Sequence, residues 1–193
     1  MVYRLLEPAL QLPDPVHMVC SEGSFAELLG QLALRKVDLV IADEPLTRKV
    51  SVRAFNHPLG HSSMSFFAAP ALAAGLQGSF PHCLDGVPML IPGPASSIRA
   101  PFDAWLLHHR LHPRVVGEFD DLALMATFGR EGRGVFVSPA VLEAETERQH
   151  GVQAIGRSDE LVEHFYAISV ERRISHPCVV AITSAARSRL FEH

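Results

Sequence analysis

The sequence predicts an α/β fold in two lobes, and three observations lead there. Short apolar runs suited to buried strands alternate along the chain with segments of helical period. Residues 38–42 are almost continuously apolar, as in parallel strands buried on both faces. Residues 115–139 read in immediate succession as strand, turn, helix, glycine turn, strand and helix start. There Val115 and Val116 run into the turn at 117–121. Leu122, Leu124, Met125 and Phe128 form a short helix closed by Gly129 and Gly132. Val135, Phe136 and Val137 then meet Ser138 and Pro139, a hydroxyl cap followed by proline at the first helical position. Two successive strands thus present carboxyl ends that open into helix amino termini, where open α/β sheets bind small ligands. The chain reads as a sensor of small solutes.

The elements follow in order. Residues 1–12 predict a helix with Leu5, Leu6, Ala9 and Leu10 inward, Pro8 sitting in its early part or kinking it. Residues 13–15 make a turn, and His17, Met18, Val19 and Cys20 a short strand. Ser24 and Glu27 form a capping box for a helix with Phe25, Leu28, Leu29, Leu32 and Ala33 on one face. With the run at 38–42, this order implies a right-handed βαβ crossover. From 50 to 67 the pattern is extended and interrupted, with a strand at 63–67; a helical turn follows at 70–74. The proline- and glycine-rich stretch 75–94 holds one strand at 88–91, and a helix over 98–111 places Ile98, Phe102, Trp105 and Leu106 at helical spacing. A polar helix through His150, a strand near 152–155 and another over 164–170 come after the 115–139 unit. Pro177 opens a last helix with Val179, Val180, Ile182, Ala186 and Leu190 on its apolar side. The expected division is 1–67 for the first part of lobe I, 68–164 for lobe II and 165–193 for the return to lobe I.

Composition narrows the function. A net charge of −4, with 17 Lys and Arg scattered along the chain, leaves no basic patch for nucleic acid. Three cysteines cannot all pair, and their spacing fits no metal or redox motif, which suits a reducing cytoplasm. Neither a signal peptide nor an apolar run long enough to span a bilayer is visible, so a soluble cytoplasmic protein without membrane contact is expected. No nucleophile elbow, zinc-protease helix, P-loop or dinucleotide fingerprint is present, so no enzyme and no cofactor are expected.

Several segments together carry a family resemblance: Asp38-Leu39-Val40-Ile41-Ala42, Leu90-Ile91-Pro92-Gly93, Gly117-Glu118-Phe119-Asp120-Asp121 and Phe136-Val137-Ser138-Pro139. In register over nearly the whole chain, they resemble the effector-binding domain of LysR-type transcriptional regulators. Ser65-Phe66-Phe67, Cys83-Leu84, Ala123-Leu124-Met125, Ile155-Gly156-Arg157, Tyr166-Ala167-Ile168, Glu171-Arg172 and His176-Pro177 make the chain look most like the NhaR-type branch, activators of sodium/proton antiporter genes. The resemblance implies a two-lobed type II periplasmic-binding-protein-like fold, with the first strand of lobe I missing here. It also implies a homodimer, with a tetramer the further assembly open to the full-length protein. A small effector or ion would bind in the inter-lobe cleft, and DNA would be reached only through an N-terminal winged helix-turn-helix absent from this chain. A stand-alone small-solute-binding protein is the alternative.

Site candidates divide between ligand contact and plain structure. In residues 92–99, Ser96 and Ser97 with free backbone N–H groups suit a carboxylate or other anion, and Arg99 adds charge; N-capping by one serine is the competing account. The resemblance turns this loop toward the cleft. Of Asp120 and Asp121, one is expected to cap the following helix and Asp120 to face a cation or ligand amine. Ser138 serves as an N-cap first and a ligand donor second. The ligand-binding candidates are thus Ser96, Ser97, Arg99, Phe119, Asp120 and Ser138. His57 and His61 lack a carboxylate or cysteine at ligand spacing, and His108, His109 and His112 suit a helix end electrostatically, so no metal is expected.

Overall fold

The computed structural model describes residues 2–47, 52–173, 175–186 and 191. In chain order the first elements are α1 (Val2–Leu10), α2 (Phe25–Ala33), β1 (Val40–Ala42), β2 (Phe55–Ala68), α3 (Pro70–Gly75), β3 (Pro88–Pro92) and α4 (Arg99–His108). They are followed by β4 (Arg114–Phe119), α5 (Leu122–Arg130), β5 (Phe136–Pro139), α6 (Glu143–His150), β6 (Gln153–Ser169) and α7 (Pro177–Ala185). The chain divides into two compact units, residues 1–61 with 164–193, and residues 62–163. Strands β2 and β6 each contribute residues to both units. Among the described residues no helix is long and apolar enough to cross a membrane.

In the first unit, α1 buries Leu5 and Ala9, one helical turn apart, and packs against α7, whose Val179 and Ile182 are buried. Its apolar stripe is narrower than the sequence implies: Leu6 is half-buried and Leu10 is exposed. Pro8 stays within the helix. α2 starts on the expected capping box, with Ser24 Oγ accepting from the Glu27 amide and the Glu27 carboxylate accepting from the Ser24 amide at 3.0 Å. Leu29 and Leu32 of α2 close on Val40 and Ile168, with Phe25 and Leu28 at the margin, while Ala33 is exposed. On the far side, the Asn56 side chain pins the chain after β1 by accepting from the Leu46 amide at 2.8 Å and donating to its carbonyl at 2.9 Å.

Two expectations for this unit fail together. Residues 17–20 form no strand, and Val19 is 80% exposed. β1 pairs antiparallel with β6, Val40 opposite Ile168. A parallel crossover needs a strand on each side of α2, and the segment before α2 enters no ladder. The apolar run at 38–42 therefore reflects burial against α2, and not parallel pairing. Leu190, expected on the apolar side of α7, lies outside the described residues.

In the second unit β3 and β4 run parallel, Pro88 opposite Arg114 and Pro92 opposite Phe119. The Leu90 amide donates to Val135 O and the Val135 amide to Pro88 O, both at 2.8 Å, which sets β5 beside β3 in the same direction. β5 in turn pairs antiparallel with β2, from Met64–Pro139 to Phe67–Phe136. An aromatic cluster fills the core. Phe66 lies 4.9 Å from Trp105 and 5.1 Å from Phe80 between ring centroids, and Phe67 stacks on Phe136 at 5.4 Å.

Three local expectations are corrected here. Ser138 and Pro139 belong to β5, Ser138 opposite Ser65, so Ser138 caps no helix. A 3-10 turn at Ala140–Leu142 intervenes before α6, which carries no side-chain cap. Gly129 is a buried residue inside α5, and the turn after that helix is made by Gly132 at φ +70°. The stretch expected as two strands, near 152–155 and over 164–170, is the single long β6.

Candidate functional site

β3 and β4 end side by side, and their exits carry most of the sequence-predicted site. At the end of β3 the Gly93 amide donates to Phe119 O at 2.7 Å, which ties the two exits together. The chain then turns, the Ser96 amide donating to Gly93 O and the Arg99 amide to Ser96 O, each at 3.1 Å. Neither serine caps α4: the N-cap residue is Ile98, in helical conformation, with no side-chain cap hydrogen bond. Pro101, in the first turn, removes one of the backbone donors a bound anion would use. Ser96 and Ser97 are half-buried.

Arg99 does not point free charge at a ligand. Its Nε donates to Asp103 at 2.9 Å, and Nη1 donates to Glu118 at 2.7 Å and to the Pro92 carbonyl at 2.9 Å. The carboxylates of Glu118 and then Asp103 push its pKa upward, so the guanidinium stays charged and internally committed. The expectation that it contributes charge to an anion site is therefore weakened by its own partners.

On the β4 side, Asp121 is the N-cap of α5, accepting from the amides of Ala123 at 2.8 Å and Leu124 at 3.3 Å. Phe119 is half-buried, with its ring 5.0 Å from that of Phe128 on α5. Asp120 is different. It is exposed, and its carboxylate has no hydrogen-bond or ion-pair partner among the described residues. It lies where a Cβ at position 93 would be, so glycine at the end of β3 makes room for it. Arg99 is paired with two carboxylates, Asp103 at 2.9 Å and Glu118 at 2.7 Å, while Asp120 and Asp121 follow at the end of β4, so acidic groups outnumber basic ones along these segments and favour a cation over an anion.

Ser138 lies at the carboxyl end of β5, on the same sheet end and beyond β3 from β4. Its neighbourhood contains polar groups not singled out in the sequence. Ser65, fully buried, donates to Glu143 at 2.6 Å; Ser62 Oγ accepts from the Val141 amide at 3.2 Å; Arg157 donates to Ser63 Oγ at 2.7 Å. The three serines at 62, 63 and 65, close together just before the apolar end of β2, are the sequence signal for them. Among the described residues, the histidines of the first unit are structurally engaged or exposed: His57 Nε2 lies 3.0 Å from Ser169 Oγ, and the rings of His61 and His164 are 5.7 Å apart.

Two depressions lie elsewhere. One of about 880 Å³ in the first unit is lined by Arg35, Arg53, Phe55, Val170 and Arg172. Another of about 420 Å³ in the second unit is lined by Arg114, Val116, Phe128 and Arg133. Neither contains any of the six candidate residues.

The family described as "LysR substrate binding domain" matches residues 3–190. The transcriptional activator protein NhaR of Escherichia coli (strain K12) is 32% identical over 191 residues, covering 99% of this chain and 62% of that protein. The protein of the same name from Shigella flexneri matches equally. The chain thus spans 62% of the length of these curated relatives. Among solved structures, the effector-binding domain of QuiR in complex with shikimate superposes with a TM-score of 0.68 at 14% identity, covering 98% of this chain and 90% of that one. DarR of Vibrio fischeri in complex with DNA gives 0.72 at 16% identity, covering 96% of this chain and 64% of that one. At these identities the structures speak for the fold alone, and the fold is the type II periplasmic-binding-protein-like one.

Proposed function

Because this chain belongs to the LysR substrate-binding domain family, we propose that it is the effector-sensing regulatory domain of an NhaR-type transcriptional activator, and that its effector is a small cation, sodium included, read by Asp120. The supporting observation is the exposed Asp120 carboxylate, unpartnered among the described residues, at the paired exits of β3 and β4, with Arg99 neutralised by its own carboxylates. Backbone carbonyls at such exits can complete an oxygen shell that leaves no trace in sequence. The mechanism is differential binding: a cation held better in one arrangement of the domain shifts the population toward it. In the longer cytoplasmic protein, paired copies of this domain would pass that shift to DNA-binding domains outside this chain. Binding, and not turnover, is the chemistry these residues suit. Membership in a family of regulators leaves the stand-alone solute-binding reading without support.

The test is a thermal melt in sodium, potassium and choline chloride at matched ionic strength. At about ten times its Kd, sodium adds about 1.4 kcal/mol, raising Tm by roughly 3–6 °C in a chain of this size. Asp120→Asn removes the sodium-specific rise without changing the melt in choline. Equal melts of the native chain in all three salts refute sodium as the effector, and a shift by small carboxylates instead would move the site to the Ser96–Ser97 turn.

A further inference from the structure

We infer that His108, His109 and Glu160 form a site for a divalent transition-metal ion of zinc type, on the second unit and at the opposite end of α4 from the strand exits. One ligand atom from each of the three side chains lies within 4.8 Å of the others. His108 is the last residue of α4 and His109 its C-cap, while Glu160 comes from β6, 51 residues further on. The ten residues of α4 put this site roughly 15 Å from Arg99 along the helix axis.

The donor set is two imidazoles and a carboxylate, the combination that takes zinc while leaving a coordination position for water. His109 Nε2 and Glu160 Oε2 are already 3.0 Å apart. Tetrahedral zinc with bonds near 2.0–2.1 Å holds neighbouring ligand atoms roughly 3.3 Å apart, so this pair needs little adjustment and His108 must close in by a side-chain rotation. His109 is well placed to anchor the ion. Its ring packs 4.8 Å from that of Trp105, which is 4% exposed in the aromatic core, and 5.0 Å from the His108 ring. The amide of His109 closes the helix by donating to Trp105 O and Leu107 O, so both histidines sit at a helix C-terminus, whose partial negative charge favours a cation. His112, also nearby in sequence, is drawn off toward Asp85 at 3.6 Å and is not part of the set.

Isothermal titration of untagged protein with zinc chloride tests this. The expected result is one site per chain, weakened by about 100-fold or more in His109→Ala and in Glu160→Gln, since loss of a direct ligand exceeds the penalty for an outer-shell one, while His112→Ala binds as the native chain does. Glu160 is an exposed strand residue, and circular dichroism of Glu160→Gln shows whether the fold is kept. Zinc binding of unchanged strength in both His109→Ala and folded Glu160→Gln would mean an adventitious ion only, and would overturn the assignment.

Discussion

Replacing Gly129 by alanine sets helix propensity against packing, and the structure decides the sign. In α5, alanine in place of glycine gains at most about 1 kcal/mol of helix propensity, and less this close to the helix end. But Gly129 is buried against Phe136: an added Cβ would overlap Cδ1 and Cε1 of that ring and come within 3.2 Å of Cγ. The ring cannot swing away. Phe136 is 1% exposed and stacked on Phe67, itself fully buried, at 5.4 Å between centroids. Overpacking of this kind costs about 1–3 kcal/mol, and a rigid ring with a rigid neighbour belongs at the upper end. The net is a destabilisation of about 1–2 kcal/mol, or a Tm lower by about 2–8 °C. Trp105, the only tryptophan, lies in the same core and reports the transition by fluorescence in urea. The midpoint should fall with an unchanged slope. Gly30 in α2 supplies the contrast, since nothing lies within 4 Å of a Cβ added there, and Gly30→Ala should stabilise by about 0.5–1 kcal/mol. A Gly129→Ala chain as stable as the native one would refute the argument from Phe136.

Three further outcomes follow from the same structure. Asp121→Ala removes the cap of α5 and should cost about 1 kcal/mol in urea unfolding, with Asp121→Asn recovering most of it. A double-mutant cycle on Arg99→Ala and Glu118→Ala should give a coupling of no more than about 1 kcal/mol, because Glu118 is half exposed, and 0.5 M salt should shrink it. Burial, with Arg130 nearby, holds the His150 pKa below its ordinary 6.5, so the unfolded chain binds this proton more readily than the folded one. Stability should therefore rise as pH increases toward about 6.5 and level off above it, and His150→Gln should flatten that rise in a Tm–pH profile.

Features held within a few residues were legible in the sequence. The Ser24–Glu27 capping box and the Asp121 cap are local pairings of side chain and amide, and both form. The order strand, helix, strand across 115–139 is likewise found as β4, α5 and β5. What was misread depended on partners distant in the chain. Ser138 and Pro139 have the chemistry of a helix start, but Ser138 lies opposite Ser65, and ladder pairing with β2 keeps them extended. The sequence divides β6 into strands near 152–155 and over 164–170, but the intervening residues stay in the ladder, and Gly156 among them makes room for Phe80, whose ring would collide with a Cβ there. In the candidate site, the strand exits were visible from pattern, whereas the commitment of Arg99 to Glu118, 19 residues on, was not. Nor could adjacent histidines announce Glu160, which only the passage of β6 beside α4 supplies.

The nesting of one unit inside the other matters most while the chain is being made. The second unit is one contiguous stretch, residues 62–163, whereas the first needs both 1–61 and 164–193. At about 5–20 residues per second, the ribosome spends on the order of 5–20 s on the inner stretch. Throughout that interval α1 has been synthesised but α7, against which it packs, has not, so Leu5 and Ala9 wait without their cover. A chain ending just after residue 163, once released from the ribosome, would hold the whole inner stretch but no α7, leaving open the apolar surface of α1 that α7 covers, a species that chaperones bind.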